Sequence, residues 1–292
     1  MITLSFYPLS VVVFMFAIGI RLVVPTFGAG SLVNTAYADA IRGAEILSGE
    51  AIEGGLIIAR TNPDNTVSLD GVGVEVATNG VFVIGFHRDS DVSAELSITK
   101  PDGTVMISRL NPAQRDYRIQ RIDGLKSNYV TPPPNVLARI KADGAAVRAA
   151  RDLTAPLGDF WLGFDWPASG PISGVYGSQR ILNGEPRQPH YGLDIAGPRG
   201  TPVYAPASGT VTLVKDLYFS GWTVLIAHGL GVNSGFLHLD SVDVTAGMEV
   251  ARGQLIGKIG ATGRATGPHL DWRIDWQGRR IDPERLIRKA PN

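Results

Sequence analysis

The stretch TPVYAPASGTVTLVKD, residues 201–216, indicates the fold class of this chain. It belongs to a series of short runs after Phe160 that are rich in Val, Ile and Leu and are separated by Gly, Pro and Asn: GPISGVYG, GWTVLIAHG, GFLHLDSV and QLIGKIGATG. Short β-branched runs between turn residues are typical of strands. Residues 159–292 are therefore predicted to form an all-β domain.

The region upstream, residues 39–129, carries a different β pattern. The segment TVSLDGVGVEVATNGVFVIGF alternates apolar and polar residues around the dipeptides Asp70-Gly71 and Asn79-Gly80, which are turn or hairpin signals. A second segment, AELSITKPDGTVMISRL, places Pro-Asp-Gly between two more candidate strands. We predict a small antiparallel domain here, of the sandwich type.

Between these regions, residues 130–158 are predicted to be a proline-rich break followed by a helical linker. Consecutive prolines in VTPPPN favour extended polyproline geometry. Asn135 is then predicted to cap a helix that continues to about Arg151. The whole chain is thus expected to be mainly β, with one short helix in the linker.

Composition limits the functions that the chain can have. It has 292 residues, enough for about two domains, and its 27 basic and 27 acidic residues cancel. This balance gives no electrostatic reason to expect nucleic acid as a partner. Because cysteine is absent, any metal must be held by His, Asp or Glu. Four of the five histidines lie between residues 190 and 269, and this clustering suggests a site.

The N-terminal residues 1–38 read as a signal peptide. Residues 2–20 are strongly apolar, and Ala-Tyr-Ala at 36–38 has the small-x-small pattern of a cleavage site. A start at Met15 fits a signal peptide better, because Arg21 then precedes the apolar stretch. We expect export and cleavage near residue 38. The alternative is that residues 2–20 remain as a membrane anchor.

Two short motifs bring candidate metal ligands together. In an extended segment, His190 and Asp194 share a face because side chains alternate with period two, and His269 and Asp271 of TGPHLDWRI share a face by the same rule. His238, in FLHLD, lies on a third strand. Imidazole and carboxylate are the usual ligands of catalytic zinc, which takes about three from the protein and leaves a position for water. A spare histidine can accept the proton of that water.

The order of these motifs resembles a known family. HYGLD is followed by TPVYAPASGTV, VLIAHG, LGVNSGFLHL, GQLIGKIGATG and TGPHL. Over residues 165–285 this series is similar to the lysostaphin-like (LytM-type) zinc metalloendopeptidases, which cut peptide cross-links or stems of bacterial peptidoglycan. The upstream β-region also looks like a domain that precedes the catalytic domain in some Gram-negative exported members.

The resemblance implies a compact β-sheet with a groove, a Zn²⁺ cofactor and peptidoglycan as the substrate. It implies that His190 and Asp194 are zinc ligands and that His238 and His269 are catalytic histidines outside the ligand set. It also implies that the protein works in the periplasm or cell envelope.

One position departs from the family pattern, which has His-x-His where this chain has His269-Leu-Asp271. Aspartate can serve as the third ligand, but a second carboxylate would make the zinc site formally neutral and its bound water less acidic. Three interpretations stay open: an active peptidase, a metal-binding domain of weak or redirected activity, and an inactive wall-binding regulator of another murein hydrolase. A carbohydrate-binding β-protein would leave the four clustered histidines unexplained.

Several other residues receive provisional roles. His228 is interpreted as a turn or groove-wall residue and His87 as structural, without a clustered partner. Trp272 and Trp276 are interpreted as packing residues. Three residues beside the first ligand are candidates for lining the groove: Tyr191, Arg180 and Asn183.

Overall fold

A computed structural model describes residues 41–90, 93–122, 133–182 and 184–288, and these form a mainly β protein. The predicted signal peptide or anchor and Asn183 lie outside the described residues. Within the described ranges, no helix has the length and apolar character needed to span a membrane.

The upstream region forms two antiparallel sheets, with strand orders β1-β2-β5 and β4-β3-β6-β7. Their strands are β1 (Glu45–Ser48), β2 (Leu56–Arg60), β3 (Thr66–Leu69), β4 (Val72–Val74), β5 (Val81–Gly85), β6 (Ala94–Thr99) and β7 (Val105–Leu110). Strand β6 alternates between buried residues and residues that are exposed or half-buried, as its sequence pattern predicts for a sheet with one solvated face.

All three predicted turns of this region form, and the turn at Pro101-Asp102-Gly103 joins β6 to β7. Asp70 and Gly71 have φ angles of 50° and 76° and close a two-residue hairpin between β3 and β4, the conformation that type I′ turns require. The turn at Asn79-Gly80 instead sends the chain to the other sheet, where β5 pairs with β2. All residues of β5 are buried.

The predicted helix is present, but its start differs from the prediction. A 3₁₀ turn at Pro134–Val136 leads into α1 (Leu137–Arg151). Asn135 lies inside that turn, and the residue that precedes α1 is Val136, which makes no side-chain capping bond. The cap assignment was therefore wrong, because Pro134 begins a 3₁₀ turn one residue earlier. The helix docks on the sheet through buried Asp143, which accepts a 2.8 Å hydrogen bond from Tyr218 N.

The downstream region is dominated by a ten-stranded sheet with the main order β17-β14-β15-β16-β19-β12-β9. Its strands are β9 (Ile172–Gly174), β12 (Leu193–Ala196), β13 (Pro202–Tyr204), β14 (Gly209–Leu217), β15 (Gly221–Gly229), β16 (Val232–Val242), β17 (Glu249–Val250), β18 (Leu255–Ile259), β19 (His269–Trp276) and β20 (Arg279–Ile281). Strands β13, β18 and β20 attach beside this path. The resemblance-based expectation of a β-sheet domain is confirmed, and its strand pairs, such as β12 with β19 and β16 with β19, are antiparallel.

A fourth, small sheet joins the two regions. It contains β8 (Ile119–Ile122), β10 (Gln179–Leu182) and β11 (Glu185–Pro186), and β8 pairs in parallel with β10. The hydrophobic core is likewise continuous between the regions, since Gly85 of β5 lies against Trp276 and Ile281. Trp272 and Trp276 are fully buried, which confirms their predicted packing role.

Candidate metal centre and active site

The centre of the site is the pair of neighbouring strands β12 and β19. Asp194 and Asp271 are directly opposite each other in the antiparallel register, and His190 lies in the irregular segment before β12. Two glycines leave room for the carboxylates. A Cβ at Gly174 would lie 2.2 Å from Asp194 Oδ2, and one at Gly192 would lie 2.3 Å from Asp271 Oδ1.

Three potential ligand atoms converge here. His190 Nε2 lies 3.0 Å from Asp194 Oδ1 and 3.5 Å from Asp271 Oδ1, and one donor atom from each residue lies within 4.8 Å of the others. Donors held at about 2.0–2.1 Å by one tetrahedral cation are about 3.3 Å apart. Apart from the contacts within this cluster, His190 Nε2 and Asp194 Oδ1 are buried without a hydrogen-bond partner. These residues fit a divalent cation.

The charges of the cluster are strongly coupled. Burial alone would lower the pKa of His190, but its contacts with Asp194 and Asp271 raise that pKa to about 10. Burial alone would raise the pKa of Asp271, but Arg273 and His190 hold it well below the usual range of a carboxyl group. Asp271 is therefore ionised at neutral pH, as a carboxylate ligand must be.

Arg273 is a site residue that the sequence analysis missed. Its Nη2 lies 2.6 Å from Asp271 Oδ2 and its Nε lies 3.0 Å from Asp271 Oδ1. The pairing follows from the alternation of side chains along β19, which places residues two apart on one face. That spacing is visible in the sequence, but it does not reveal which alternating polar residues form an ion pair.

His238 and His269 lie beside this cluster. Their ring centroids are 4.9 Å apart, and His269 Nε2 lies 3.9 Å from Asp194 Oδ1. His238 Nδ1 is 2.8 Å from Thr262 O, and His269 Nδ1 is 2.8 Å from Gly267 O. A carbonyl oxygen can only accept, so each Nδ1 carries the proton and each neutral ring keeps a free lone pair on Nε2.

Local backbone geometry sets the direction of the His238 side chain. The pairing of β16 with its neighbours is irregular around this residue, and its φ angle is 64°. Such bulges redirect a side chain at sheet edges and active sites, at the cost of local strain. Burial also lowers the pKa of His238, which favours the neutral, proton-accepting ring.

Thr262 anchors the loop that supplies the carbonyl for His238, and the sequence analysis missed it. Its Oγ1 donates to Leu239 O at 2.8 Å and accepts from Trp222 N at 2.9 Å. The side chain therefore ties the loop after β18 to both β15 and β16. A threonine in an ATG turn gives no sequence signal for this role.

Of the two remaining histidines, His228 departs from its interpretation and His87 agrees with it. His228 is not a turn or groove-wall residue, because it lies within β15 with no exposed surface. Its Nδ1 and Nε2 lie 2.7 Å from Ser208 O and Ser234 Oγ, respectively. His87 is structural as predicted, since its Nδ1 accepts from Arg280 N at 3.2 Å.

Of the three residues predicted to line the groove, one is described in full. Tyr191 packs against two other rings, which lie 5.2 Å (His87) and 6.3 Å (Tyr176) from its own. His87 thus has a partner next to the candidate site, which the sequence did not reveal. The side chain of Arg180 and all of Asn183 are outside the described part of the chain.

Comparison with known proteins places this site in a family context. Residues 188–283 match the sequence profile of Peptidase family M23. The chain is 43% identical over 94 residues to the peptidoglycan DD-endopeptidase ShyA of Vibrio cholerae. It is 37% identical over 102 residues to the DD-carboxypeptidase/endopeptidase Mpg of Neisseria meningitidis. These alignments cover 32% and 35% of this chain but only 22% and 24% of the relatives.

Two further similarities extend upstream of that domain. A crystal structure from Pseudomonas aeruginosa, provisionally assigned as a peptidase M23, is 31% identical and covers 82% of this chain and 96% of its own, with a TM-score of 0.66. The uncharacterized lipoprotein YgeR of Escherichia coli is 28% identical over 209 residues, or 68% of this chain and 79% of the relative. The similarity to the Pseudomonas protein therefore includes most of the fold described above.

Proposed function

Because this chain belongs to peptidase family M23, we propose that it is an exported, zinc-dependent endopeptidase that hydrolyses peptide bonds of peptidoglycan. The observation that carries the proposal is the convergence of His190 Nε2 with Asp194 Oδ1 and Asp271 Oδ1. The first two of these atoms are buried and have no hydrogen-bond partner outside the cluster. The names of the relatives ShyA and Mpg support peptidoglycan as the substrate class.

In this proposal His190, Asp194 and Asp271 hold the ion. When bound, zinc polarises a carbonyl and lowers the pKa of water. His269 accepts a proton at Nε2, the atom that lies 3.9 Å from Asp194 Oδ1. That proton would then pass to the nitrogen of the leaving amine as the peptide bond breaks. His238, whose ring centroid lies 4.9 Å from that of His269, is the second ring that can hold a proton in the site. Once protonated, either ring donates a hydrogen bond from Nε2 to a developing oxyanion.

The same site has a second candidate function, as a weakly active or inactive module that binds the cell wall or activates another murein hydrolase. The observation that favours it is Asp271 at the position of the family histidine. The ion pair with Arg273 weighs against it. A carboxylate that is buried, ionised and oriented toward His190 keeps the chemistry of a ligand.

The experiment combines metal analysis with product analysis. The purified full chain is assayed for zinc and incubated with isolated sacculi, and the released fragments are weighed by mass spectrometry. We expect about one zinc per chain and soluble cross-link or stem-peptide fragments. Both are lost in His190→Ala, whereas His238→Ala keeps the zinc and loses the products.

Asp194→Asn tests a proposed ligand, and Asp102→Asn is its matched control. Asp102 is an exposed turn carboxylate of the upstream region. Asp102→Asn should behave like the wild type. A wild type without zinc contradicts the peptidase proposal. A wild type that binds sacculi and stimulates a second hydrolase, yet releases nothing alone, supports the module instead.

A further inference from the structure

The candidate ligand His190 depends on a short turn, residues 175–178. Gly177 N donates to His190 O at 2.8 Å, and His190 N donates to Ser178 O at 2.8 Å. The imidazole is held as well, since its Nδ1 lies 3.3 Å from Val175 O. The turn thus fixes both the main chain of His190 and the orientation of the ring that faces Asp194.

The upstream β-region holds this turn in place. Arg88, which is buried, donates from Nε to Gly177 O at 2.9 Å. Its guanidinium lies over the ring of Tyr117, with Cζ 4.2 Å from the ring centroid. The same ring packs on Gly177, where a Cβ would lie 2.0 Å from Tyr117 Cδ1. Gly177 has a φ of 82°, so glycine suits both this conformation and this close approach.

Residues that flank the turn and His190 also contact the upstream β-region. Gln179 N donates to Arg118 O at 2.9 Å, where β10 begins to pair with β8. On the other side of His190, the ring of Tyr191 packs at a tilt against that of His87 of the upstream region. The segment that carries His190 is therefore enclosed by residues from before the linker.

We propose that the upstream β-region is a structural part of the metal centre and that Arg88 is its positioning residue, which holds Gly177 and thereby His190. This inference rests on the proposed zinc function. Arg88 suits the role because a planar guanidinium donates a directed hydrogen bond while it stacks on an aromatic ring. Loss of an outer contact that orients a metal ligand typically weakens metal binding 10–100-fold, and Arg88 acts on His190 through the main chain of Gly177.

The test is the zinc affinity of Arg88→Met and Arg88→Lys in the full chain, measured by competition with a chelator. A matched control is Arg60→Met. Arg60 is also an arginine of the upstream region that contacts the downstream region, but its guanidinium lies 6.0 Å from the ring of Trp161 and pairs with Glu45. We expect about 10–100-fold weaker zinc binding for both Arg88 variants and an unchanged affinity for Arg60→Met.

Hydrogen exchange of the His190 amide in the metal-free protein provides a second readout. Its protection should fall in the Arg88 variants and stay unchanged in Arg60→Met. If the Arg88 variants do not fold, the milder variant Tyr117→Leu, which keeps Arg88, takes their place in the test. It should weaken zinc binding about 3–10-fold. Unchanged zinc affinity and unchanged His190 protection in a folded Arg88→Met protein overturn the inference. A wild type without zinc counts against the proposed function, while the exchange result still decides the role of Arg88.

Discussion

Arg273 and Asp271 form a two-pronged ion pair on one face of β19, with 2.6 Å between Nη2 and Oδ2 and 3.0 Å between Nε and Oδ1. The guanidinium changes the charge of the candidate metal site. A zinc ion with His190 and two carboxylates would be formally neutral, but Arg273 restores one positive charge. This equals the charge of a zinc site with two histidines and one aspartate. The expected loss of Lewis acidity is thereby opposed by a neighbouring residue.

Asp271→His, taken alone, is expected to weaken zinc binding although it recreates the family motif. The substitution removes a negative ligand and leaves the Arg273 guanidinium facing the cation without its carboxylate partner. The double substitution Asp271→His with Arg273→Gln removes that repulsion and should bind zinc at least about tenfold more tightly than Asp271→His. Zinc affinities from chelator competition check both.

The contrary result for this pair would be an Asp271→His variant that binds zinc as well as the double variant does. Arg273 would then have no electrostatic influence on the site. Arg109→Gln, a change on strand β7 of the upstream region, is a control for the general effect of removing one positive charge. It should leave the zinc affinity unchanged.

Gly192→Ala is expected to reduce zinc affinity by at least about tenfold. An added Cβ would lie 2.3 Å from Asp271 Oδ1 and 2.8 Å from Arg273 Cγ, so the carboxylate must shift from its present position beside His190. Outer displacements of this kind typically lower metal affinity 10–100-fold. Gly73→Ala is the control, because a Cβ there would meet nothing within 4 Å. Equal zinc affinities of the two variants would show that the position of Asp271 is not critical.

The sequence predicted those features of the site that depend on strand alternation. His269 and Asp271 share a face of β19, as period-two alternation predicts. The convergence of His190 with Asp194 and Asp271 was implied by the family resemblance and does not follow from alternation, because His190 lies in an irregular segment and not on a strand. Alternation could not identify Arg273 as a site residue, because it shows which residues share a strand face but not which of them form an ion pair. Thr262 and Arg88 were missed because each acts through a backbone carbonyl, of Leu239 and of Gly177, that is distant in sequence.

The failed predictions have equally specific causes. His228 follows a strand-like run and precedes Gly-Leu-Gly, which suggested an exposed turn, but the strand continues through Gly229 and buries the ring. Asn135 has the chemistry of a cap, but the preceding prolines start a 3₁₀ turn before it can cap α1. Tertiary burial thus determined the environment of His228, and proline geometry determined that of Asn135.

Thr262→Val is expected to lower kcat on a peptidoglycan substrate about 10–100-fold while zinc content stays the same. Valine has a similar shape, but it neither donates to Leu239 O nor accepts from Trp222 N, so the carbonyl that holds His238 Nδ1 becomes mobile. Thr262→Ser keeps the hydroxyl and should retain most of the activity. Nitrogen NMR of the His238 ring should report a mixture of tautomers in the valine variant only. An unchanged tautomer in Thr262→Val would contradict this role.

His228 is expected to make the stability of the protein fall as the pH drops from about 6.5 to about 4. Burial lowers its pKa from 6.5 to about 4, so the folded protein keeps the ring neutral while the unfolded chain takes up a proton. The stabilisation is fully present above pH 6.5 and is lost as the pH falls toward 4. This difference in pKa corresponds to about 3 kcal/mol.

The measurement for His228 is the free energy of unfolding in urea at pH 7 and at pH 4.5, for the wild type and for His228→Gln. The glutamine variant is less stable at pH 7, because buried groups such as Ser234 Oγ lose an ideal partner. Its loss of stability on acidification should be smaller than that of the wild type by about 2–3 kcal/mol, since only the wild type carries the titrating ring. Carboxyl groups titrate in the same range in both proteins, so the difference between the two isolates His228. Parallel pH dependences would mean that the buried ring is protonated in the folded protein, in conflict with its contacts to Phe160 and Phe164.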